Sequence, residues 1–299
     1  MADPLVIECA GLSKHYGSTR ALDGLDLQVP RGSIFGFLGR NGAGKTTTIK
    51  ILLGMVHPTG GRVHVFDLPA AEREASVAIR RRCGFVSEEK DLYNGMTVGE
   101  IVAFTASFYP RWRADLQERY LRSFELSADA NVKTLSRGTR TKLALLLAFC
   151  RGAELLILDE PTSGLDPAVA EEVLQLLVSH VAREETTIFL SSHHLAEIDQ
   201  IADRIGIVHR GRMILSGVLD DLRQDFRRVQ AVFDGDAPGA GFATPGVVRV
   251  RRKGRTVDVT AHGHVDDVVA EARALGAVAV DVSAVPLKEM FLELVAMED

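Results

Sequence analysis

The chain has 299 residues, of which 46% are hydrophobic and 25% are charged, and its formal net charge is −5. This length and composition predict one large or two medium folded domains, and they exclude an intrinsically disordered chain. The mildly acidic balance argues against a dedicated nucleic-acid binder, because such proteins usually carry a strong basic excess. We therefore expect no nucleic-acid partner.

Short apolar runs alternate with helical patterns from the N-terminus to about residue 210. The predicted strands are Val6–Cys9, Ile34–Leu38, Val63–Phe66, Gly84–Ser87, Leu155–Leu158, Thr187–Leu190 and Ile205–Val208. The predicted helices are Lys45–Leu53, Val98–Phe108, Leu116–Phe124, Arg140–Cys150, Val169–Ala182 and Leu195–Ala202. This alternation favours an α/β fold with a mainly parallel sheet that helices cover on both faces. Residues 90–152 read as consecutive helices, which indicates a helical subdomain inserted into the core.

The pattern changes after Asp225, where we expect a boundary between a domain of residues 1–225 and one of residues 226–299. Asp234–Pro245 is rich in glycine, proline and alanine and predicts a loop. The rest predicts a small C-terminal α+β module, with strands at Val247–Val250, Arg255–Thr260 and Val278–Val282 and helices at Val265–Leu275 and Leu287–Val295. Its first predicted hairpin is basic, which indicates either a solvated turn or a contact with anionic lipid headgroups or RNA; the basic residues are Arg249, Arg251, Arg252, Lys253 and Arg255.

The sequence predicts neither a membrane-spanning helix nor a secretory signal. No apolar run reaches the roughly 18 residues that a membrane-spanning helix needs, and no basic segment opens the N-terminus as it would in a secretory signal. Cys9, Cys83 and Cys150 lie far apart, which argues against a disulfide framework and a zinc site. We expect a protein of the cytoplasm.

A glycine-rich segment follows the predicted strand Ile34–Leu38 and opens a predicted helix. Its spacing, G-x-x-x-x-G-K-T, is that of a phosphate-binding loop of the P-loop NTPase type. The glycines let backbone N–H groups turn inward around phosphate oxygens, and the helix N-terminus adds a partial positive charge. We expect Lys45 to reach the β- and γ-phosphates and the Thr46 hydroxyl to hold Mg²⁺. The predicted nucleotide-binding residues of the loop are Gly39, Asn41, Gly42, Ala43, Gly44, Lys45, Thr46 and Thr47.

Two carboxylates end the apolar strand Leu155–Leu158. Ligands bind at this end of the strands in open α/β sheets. Asp159 is therefore predicted to hold Mg²⁺, mostly through water. Glu160 is predicted to polarise an attacking water as general base.

The segment Leu135-Ser136-Arg137-Gly138-Thr139 resembles the signature of the ATP-binding subunits of ABC transporters, and the resemblance covers residues 5 to about 225. The family reads LSGGQ here, so Arg137 and Thr139 depart from it whereas Ser136 and Gly138 match. The resemblance implies that Ser136 and Gly138 contact the γ-phosphate of ATP bound to a second copy of the cassette. ATP would then hold two copies head to tail as a homodimer.

Three further positions are similar to family positions. Asp166, in Ser163-Gly164-Leu165-Asp166, corresponds to the loop that helps to assemble the dimer interface. His193, which follows Ser191-Ser192, corresponds to a histidine that contacts the γ-phosphate and positions the water, although His194 lies beside it. Tyr16 corresponds to the aromatic residue that stacks on adenine, a use that suits a flat ring.

Glu88 departs from the family, which has glutamine after the strand read here as Gly84–Ser87. A carboxylate keeps an oxygen for Mg²⁺ but loses the amide donor and adds a charge near the phosphates. Together with the altered signature and the C-terminal module, Glu88 resembles the exporter branch that handles drugs, lipids or polysaccharides. The segment Val285–Leu292 also looks like that branch.

The resemblance implies a subunit that binds and hydrolyses ATP with Mg²⁺, with Lys45, Glu160 and His193 as catalytic residues. It would power a separate membrane-spanning subunit of an exporter from the cytoplasmic face of the cell membrane. The first alternative is an ABC-type ATPase of translation or DNA repair, but such chains carry two cassettes or a long coiled-coil insertion. The second is a small-molecule kinase with a phosphate-binding loop, which gives no reason for residues 135–139.

Overall fold

The computed structural model describes residues 4–239 and 241–298. The chain divides into two compact units, of which the first ends at Ser216 and the second begins at Gly217. This division precedes the boundary expected near Asp225, because the helix Leu219–Asp225 buries Leu219 and Leu222 and contacts the first complete strand of the second unit.

The first unit combines two sheets with helices. Its strands are β1 (Leu5–Tyr16), β2 (Thr19–Pro30), β3 (Ile34–Leu38), β4 (Gly60–Val65), β5 (Leu68–Pro69), β6 (Cys83–Val86), β7 (Leu155–Asp159), β8 (Thr187–Ser192), β9 (Arg204–His209) and β10 (Arg212–Val218), the last of which runs into the second unit. Its helices are α1 (Lys45–Leu52), α2 (Arg73–Arg82), α3 (Val98–Ala106), α4 (Ala114–Ser123), α5 (Arg137–Phe149), α6 (Pro167–Glu184) and α7 (Leu195–Ile201).

A six-stranded sheet in the order β10-β9-β3-β8-β7-β6 forms the centre of this unit. The pairs β9–β3, β3–β8, β8–β7 and β7–β6 are parallel, which confirms the predicted parallel sheet. Every residue of β3, β7 and β8 is buried, as expected for strands covered on both faces. These three neighbours end at the same edge of the sheet, so the segments that follow them meet there.

An antiparallel sheet in the order β2-β1-β4-β5 packs beside it and was not predicted. In strand β2, buried apolar residues alternate with polar ones, so that Leu25, Leu27 and Val29 lie on the buried face. Asp23, Gly24 and Asp26 interrupt the apolar pattern there, so the local sequence does not predict this strand.

Helices α3, α4 and α5 follow one another directly, with a 3₁₀ turn at Val132–Thr134, which confirms the predicted helical subdomain. Helix α3 begins with a capping box, in which the Thr97 hydroxyl accepts from the Glu100 N–H and the Glu100 carboxylate accepts from the Thr97 N–H. Such reciprocal bonds satisfy two backbone donors that have no partner inside the helix. Helix α2, which ends in Arg80, Arg81 and Arg82, was not predicted.

The second unit is an antiparallel sheet with helices. It contains α8 (Leu219–Asp225), β11 (Phe226–Phe233), β12 (Val247–Lys253), β13 (Thr256–His262), α9 (Val265–Ala274), β14 (Ala277–Ala284) and α10 (Leu287–Glu298). The strand order is β12-β13-β11-β14. The inner strand β11, which was not predicted, contributes Val229, Ala231 and Phe233 to a separate apolar core.

Candidate functional site

The glycine-rich segment forms a loop between β3 and α1, as the motif predicts. Gly44 has φ 110° and Gly42 has φ 82°, values that side chains strongly disfavour. A Cβ at Gly44 would lie 2.7 Å from the Ala21 carbonyl oxygen. The loop can therefore keep this path only with glycine at position 44. The amide groups at the start of α1 face outward at its N-terminus, where an anion is favoured.

Lys45 lies at the start of α1, and its side chain is almost completely buried. Its ammonium group donates to the Gly39 carbonyl oxygen at 2.7 Å and lies 3.1 Å from Oε1 of Glu160. A buried charge needs such partners to offset its desolvation. The phosphate-binding loop and the acidic strand end thus belong to one site.

Asp159 and Glu160 point in different directions from the end of β7. Asp159 pairs with Ser191 across the β7–β8 register, and the Ser191 hydroxyl donates to Oδ1 of Asp159 at 2.6 Å. The Glu160 backbone has φ 47°, a left-handed conformation that costs energy in a residue other than glycine. Its N–H donates to the Ser191 carbonyl and hydroxyl oxygens, both at 3.2 Å, so two bonds hold this conformation.

The Glu160 carboxylate also contacts His193, from the loop after β8. Nδ1 of His193 lies 2.8 Å from Oε2 of Glu160, and the His193 N–H donates to the same oxygen at 3.3 Å. The ring of His194 instead packs against the His193 ring at a tilt of 38°, with 4.0 Å between ring centroids. Of the two adjacent histidines, His193 is therefore the one that contacts the carboxylate.

A cleft of about 410 Å³ lies in front of these groups. Most of the sequence-predicted residues line it: Tyr16, Asn41, Gly42, Gly44, Lys45, Thr46, Thr47, Glu88 and Glu160. Arg20 and Arg40 line it as well, and the sequence analysis did not single them out. The cleft therefore combines an aromatic ring, cationic side chains, a helix N-terminus and carboxylates, as a nucleotide with its phosphates requires.

Gly39, Ala43, Asp159 and His193 do not line this cleft but support it. Gly39 accepts from Lys45, while the Ala43 N–H donates to Arg40 and its carbonyl accepts from Gly211. A Cβ at Gly39 would lie 2.7 Å from the Val208 carbonyl oxygen, so this glycine allows β3 and β9 to approach closely.

Ser136, Gly138 and Asp166 are placed elsewhere, because they are absent from the lining of this cleft. Ser136 is the N-cap of α5 and accepts from the Thr139 N–H at 3.1 Å. Asp166 is the N-cap of α6 and accepts from the Val169 N–H at 3.3 Å. Within one chain, these three predicted residues do not line the cleft of the phosphate-binding loop.

Arg137, the departure from the signature, lies against Gly164. A Cβ at Gly164 would be 2.1 Å from one guanidinium nitrogen of Arg137. In this structure the Arg137 side chain therefore packs on the loop that follows Glu160, within its own chain.

Lys90 is a residue of the site that sequence reasoning missed. It is 4% exposed, and its ammonium group donates to the Glu160 carbonyl oxygen at 3.1 Å. Burial, assisted by the nearby Arg137 charge, lowers the pKa of Lys90 to about 8. Close by, the Ser163 hydroxyl donates to Oε1 of Glu88 at 3.3 Å. No local motif marks Lys90, since its partner lies 70 residues away.

Comparisons with known proteins decide the family. Residues 22–163 match the family described as ABC transporter. A bacitracin transport ATP-binding protein of Bacillus licheniformis is 36% identical over 225 residues, which are 75% of this chain and 73% of that protein. The chain belongs to the ABC transporter family. It is an ATP-binding subunit that binds and hydrolyses ATP, and the alternative of a small-molecule kinase is not supported.

Other relatives of this ABC subunit agree. A daunorubicin resistance ATP-binding protein of Streptomyces coeruleorubidus is 38% identical over 231 residues, which are 75% of this chain and 72% of that protein. A solved structure of the ATP binding subunit of an ABC transporter is 30% identical, has a TM-score of 0.66, and covers 73% of this chain and 92% of its own. Across residues 4–239 and 241–298, no helix of the ABC subunit is both long and apolar enough to cross a bilayer.

Proposed function

We propose that this ABC ATPase subunit drives export through a separate membrane-spanning subunit, on the cytoplasmic face of the cell membrane. Two of its relatives are named for bacitracin transport and daunorubicin resistance, which supports an exporter. Glu88 and the altered signature are the features of this chain that support the same branch. ATP hydrolysis supplies the energy, and the membrane partner supplies the path.

The observation that carries the catalytic part of the proposal is the position of the Glu160 carboxylate. One oxygen lies 3.1 Å from Lys45 and the other 2.8 Å from His193. We assign Glu160 as the general base that takes a proton from the attacking water. His193 orients the carboxylate, and Lys45 stabilises the charge that develops on the γ-phosphate.

The donor set fits Mg²⁺. Thr46, Asp159 and Glu88 offer hydroxyl and carboxylate oxygens, which are the ligands that Mg²⁺ prefers. No group of three or more His, Cys, Asp or Glu side chains gathers as a metal site in the described part of the chain. When bound, Mg²⁺ would neutralise phosphate charge.

We also propose that two copies of the subunit form an ATP-dependent homodimer. Ser136 and Gly138 do not line the cleft of the phosphate-binding loop in the same chain. A second copy would bring them to the γ-phosphate, with Asp166 at the interface.

Transport in inverted membrane vesicles tests the direction. Vesicles from cells that hold the subunit and its co-purifying membrane partner receive bacitracin or daunorubicin as the probe. We expect ATP-dependent uptake into inverted vesicles with the wild-type subunit and none with Glu160→Gln. Uptake only into right-side-out vesicles, with ATP supplied inside them, would contradict export. Failure to co-purify any membrane protein with an active ATPase would contradict the transport assignment.

A further inference from the structure

A second cavity, of about 550 Å³, lies away from the nucleotide cleft. It is formed by the end of α2, the loop between α3 and α4, and the segment before β7. The residues that line it are Arg81, Arg82, Phe108, Tyr109, Pro110, Arg111, Arg151, Gly152 and Glu154. Its volume is within the range of small-molecule sites, and it shares no residue with the cleft that holds Lys45.

The cavity carries an excess of positive charge. Four arginines line it with one carboxylate, Glu154. Arg82 already engages both oxygens of Glu154, at 2.8 Å and 2.7 Å. This paired geometry satisfies the carboxylate. Among the residues that the structure describes, no Asp or Glu forms a salt bridge with the other three arginines, whose positive charges line the cavity.

The surroundings of Arg151 are the strongest evidence that the cavity binds an anion. Its guanidinium lies 4.1 Å from the centroid of the Tyr109 ring and donates to the Cys83 carbonyl oxygen at 3.3 Å. No Asp or Glu among the described residues forms a salt bridge with it, although the side chain is half-buried. Burial lowers the pKa of Arg151 to about 10, because the guanidinium loses hydration without gaining an ionic partner. A cation in this position is stabilised by any anion that enters the cavity.

The rest of the cavity adds two exposed arginines and an aromatic surface. Arg81 and Arg111 are exposed at the rim, where their planar guanidinium groups can bind phosphate or carboxylate oxygens in pairs. Phe108 is 63% exposed and the Tyr109 ring lies beside it in the lining, which gives the cavity an apolar, aromatic wall. An occupant with a charged end and a flat apolar body would satisfy both parts.

We propose that this cavity, between α2, the α3–α4 loop and Arg151, binds a small organic anion: a phosphate monoester attached to an aromatic or apolar group. The phosphate lies among Arg81, Arg111 and Arg151, and the apolar group lies on Phe108 and Tyr109. The site is separate from ATP hydrolysis and does not depend on the direction of transport.

Phenyl phosphate is the probe, and the full-length chain provides its own reporter. Trp112 is the one tryptophan of the sequence, and its backbone N–H donates to the Tyr109 carbonyl oxygen at 3.0 Å. Calorimetry measures binding, and Trp112 fluorescence locates it. We expect saturable binding with a fluorescence change, much weaker binding of inorganic phosphate, and none of phenol.

Paired variants separate this cavity from other phosphate sites. Arg81→Gln with Arg111→Gln should weaken phenyl phosphate binding at least tenfold, because two charge-assisted contacts are lost. Arg73→Gln with Arg183→Gln removes the same charge from exposed positions outside the cavity and should leave binding unchanged. Lys45→Ala, which disables the phosphate-binding loop, should also leave the fluorescence titration unchanged.

Three results would overturn the proposal. One is no saturable binding at millimolar phenyl phosphate. Another is equal weakening in the cavity and control pairs, which would indicate only attraction to net charge. The third is loss of the signal in Lys45→Ala, which would place the probe in the nucleotide cleft. Arg151→Gln is a further variant, and its folding is checked by circular dichroism before it is titrated.

Discussion

Glu160 is the residue on which the chemistry of this ABC subunit depends. Its carboxylate is held between Lys45 and His193, and its backbone is fixed in a left-handed conformation by Ser191. Lys45 comes from the phosphate-binding loop, whereas Ser191 and His193 come from the end of β8 and the loop that follows it. The orientation of the Glu160 side chain therefore depends on the phosphate-binding loop, on β7 and on the loop after β8.

Replacing Glu160 by Gln should separate binding from hydrolysis. The amide keeps the shape of the side chain but cannot take a proton, so we expect ATP turnover to fall on the order of 10²-fold or more. ATP should still raise the melting temperature, since binding to the native state stabilises it. Glu118→Gln, on the exposed face of α4, serves as the control and should retain full turnover. Near-normal hydrolysis by Glu160→Gln would show that another group is the base.

Lys90 should act on the rate and not on nucleotide affinity. Its ammonium group holds the Glu160 carbonyl oxygen and does not line the nucleotide cleft. In Lys90→Met we expect kcat to fall roughly tenfold, in line with the loss of one hydrogen bond to a charged group, while KM for ATP stays within twofold. Lys90→Arg, which retains a charged donor, should recover part of kcat. A parallel loss of ATP affinity in Lys90→Met would instead indicate general damage to the site.

At the scale of elements, the phosphate-binding loop and α1 depend on glycines that are not equivalent. Gly44→Ala should weaken ATP binding strongly and lower the free energy of unfolding, because the new Cβ would lie 2.7 Å from a backbone oxygen. Gly42→Ala is the matched control, since Gly42 also has a positive φ but nothing lies within 4 Å of its Cβ position. The control should lose only about 1–2 kcal/mol of stability from the left-handed backbone. Denaturant unfolding compares the two variants, and an equal loss of stability in both would contradict this prediction, while ATP titration measures the loss of binding in Gly44→Ala.

The elements differ in how much of them the sequence could predict. The strands β3, β7 and β8 are continuous apolar runs, so a local pattern was enough to find them. Strand β2 was missed because its buried residues alternate with Asp23, Gly24 and Asp26, and only pairing with β1 makes it a strand. Strand β11 was missed for a similar reason, since Arg227, Arg228 and Gln230 interrupt its apolar residues.

The residues of the site also differ in whether a local pattern predicts them. Lys45, Asp159 and Glu160 were predicted because a motif or a strand end marks each of them. The contacts of Lys90 with Glu160 and of Arg137 with Gly164 were not predicted, since each joins segments that are distant in sequence. Local spacing identifies the groups that do chemistry, whereas the groups that hold them require the tertiary structure.

At the scale of the whole molecule, the buried His180 should make stability depend on pH. Its ring stacks on Phe149 with 4.0 Å between centroids, and its Nδ1 lies 3.0 Å from the Tyr120 hydroxyl oxygen. Burial lowers the pKa of His180 from 6.5 to about 4. Between these values the unfolded chain binds a proton that the folded chain does not, so stability falls as the pH falls.

The expected loss is at most about 3 kcal/mol, from 1.36 kcal/mol for each unit of the pKa difference. Denaturant unfolding from pH 6.5 to pH 4 measures it through the Trp112 signal of the first unit. His180→Leu should flatten the profile in this window, whereas His57→Gln, at an exposed position, should leave it unchanged. An identical pH slope in wild type and His180→Leu would mean that His180 is not the group responsible.

The assembly of two subunits is the last property that the site predicts. Glu160→Gln should accumulate as a dimer with ATP and return to a monomer with ADP, because slow hydrolysis preserves the γ-phosphate that joins the two copies. Ser136→Ala in the same background should weaken the dimer, since the hydroxyl that would contact the phosphate is gone. That change also removes the N-cap of α5, at a cost of about 0.5–2 kcal/mol. Thr97→Ala, which removes the N-cap of α3 in the same subdomain, controls for it. Sedimentation of the three variants with ATP and with ADP measures the fraction of dimer. If Ser136→Ala and Thr97→Ala dimerise equally, Ser136 acts only as a helix cap. If Glu160→Gln stays monomeric at saturating ATP, two copies alone do not close over the nucleotide.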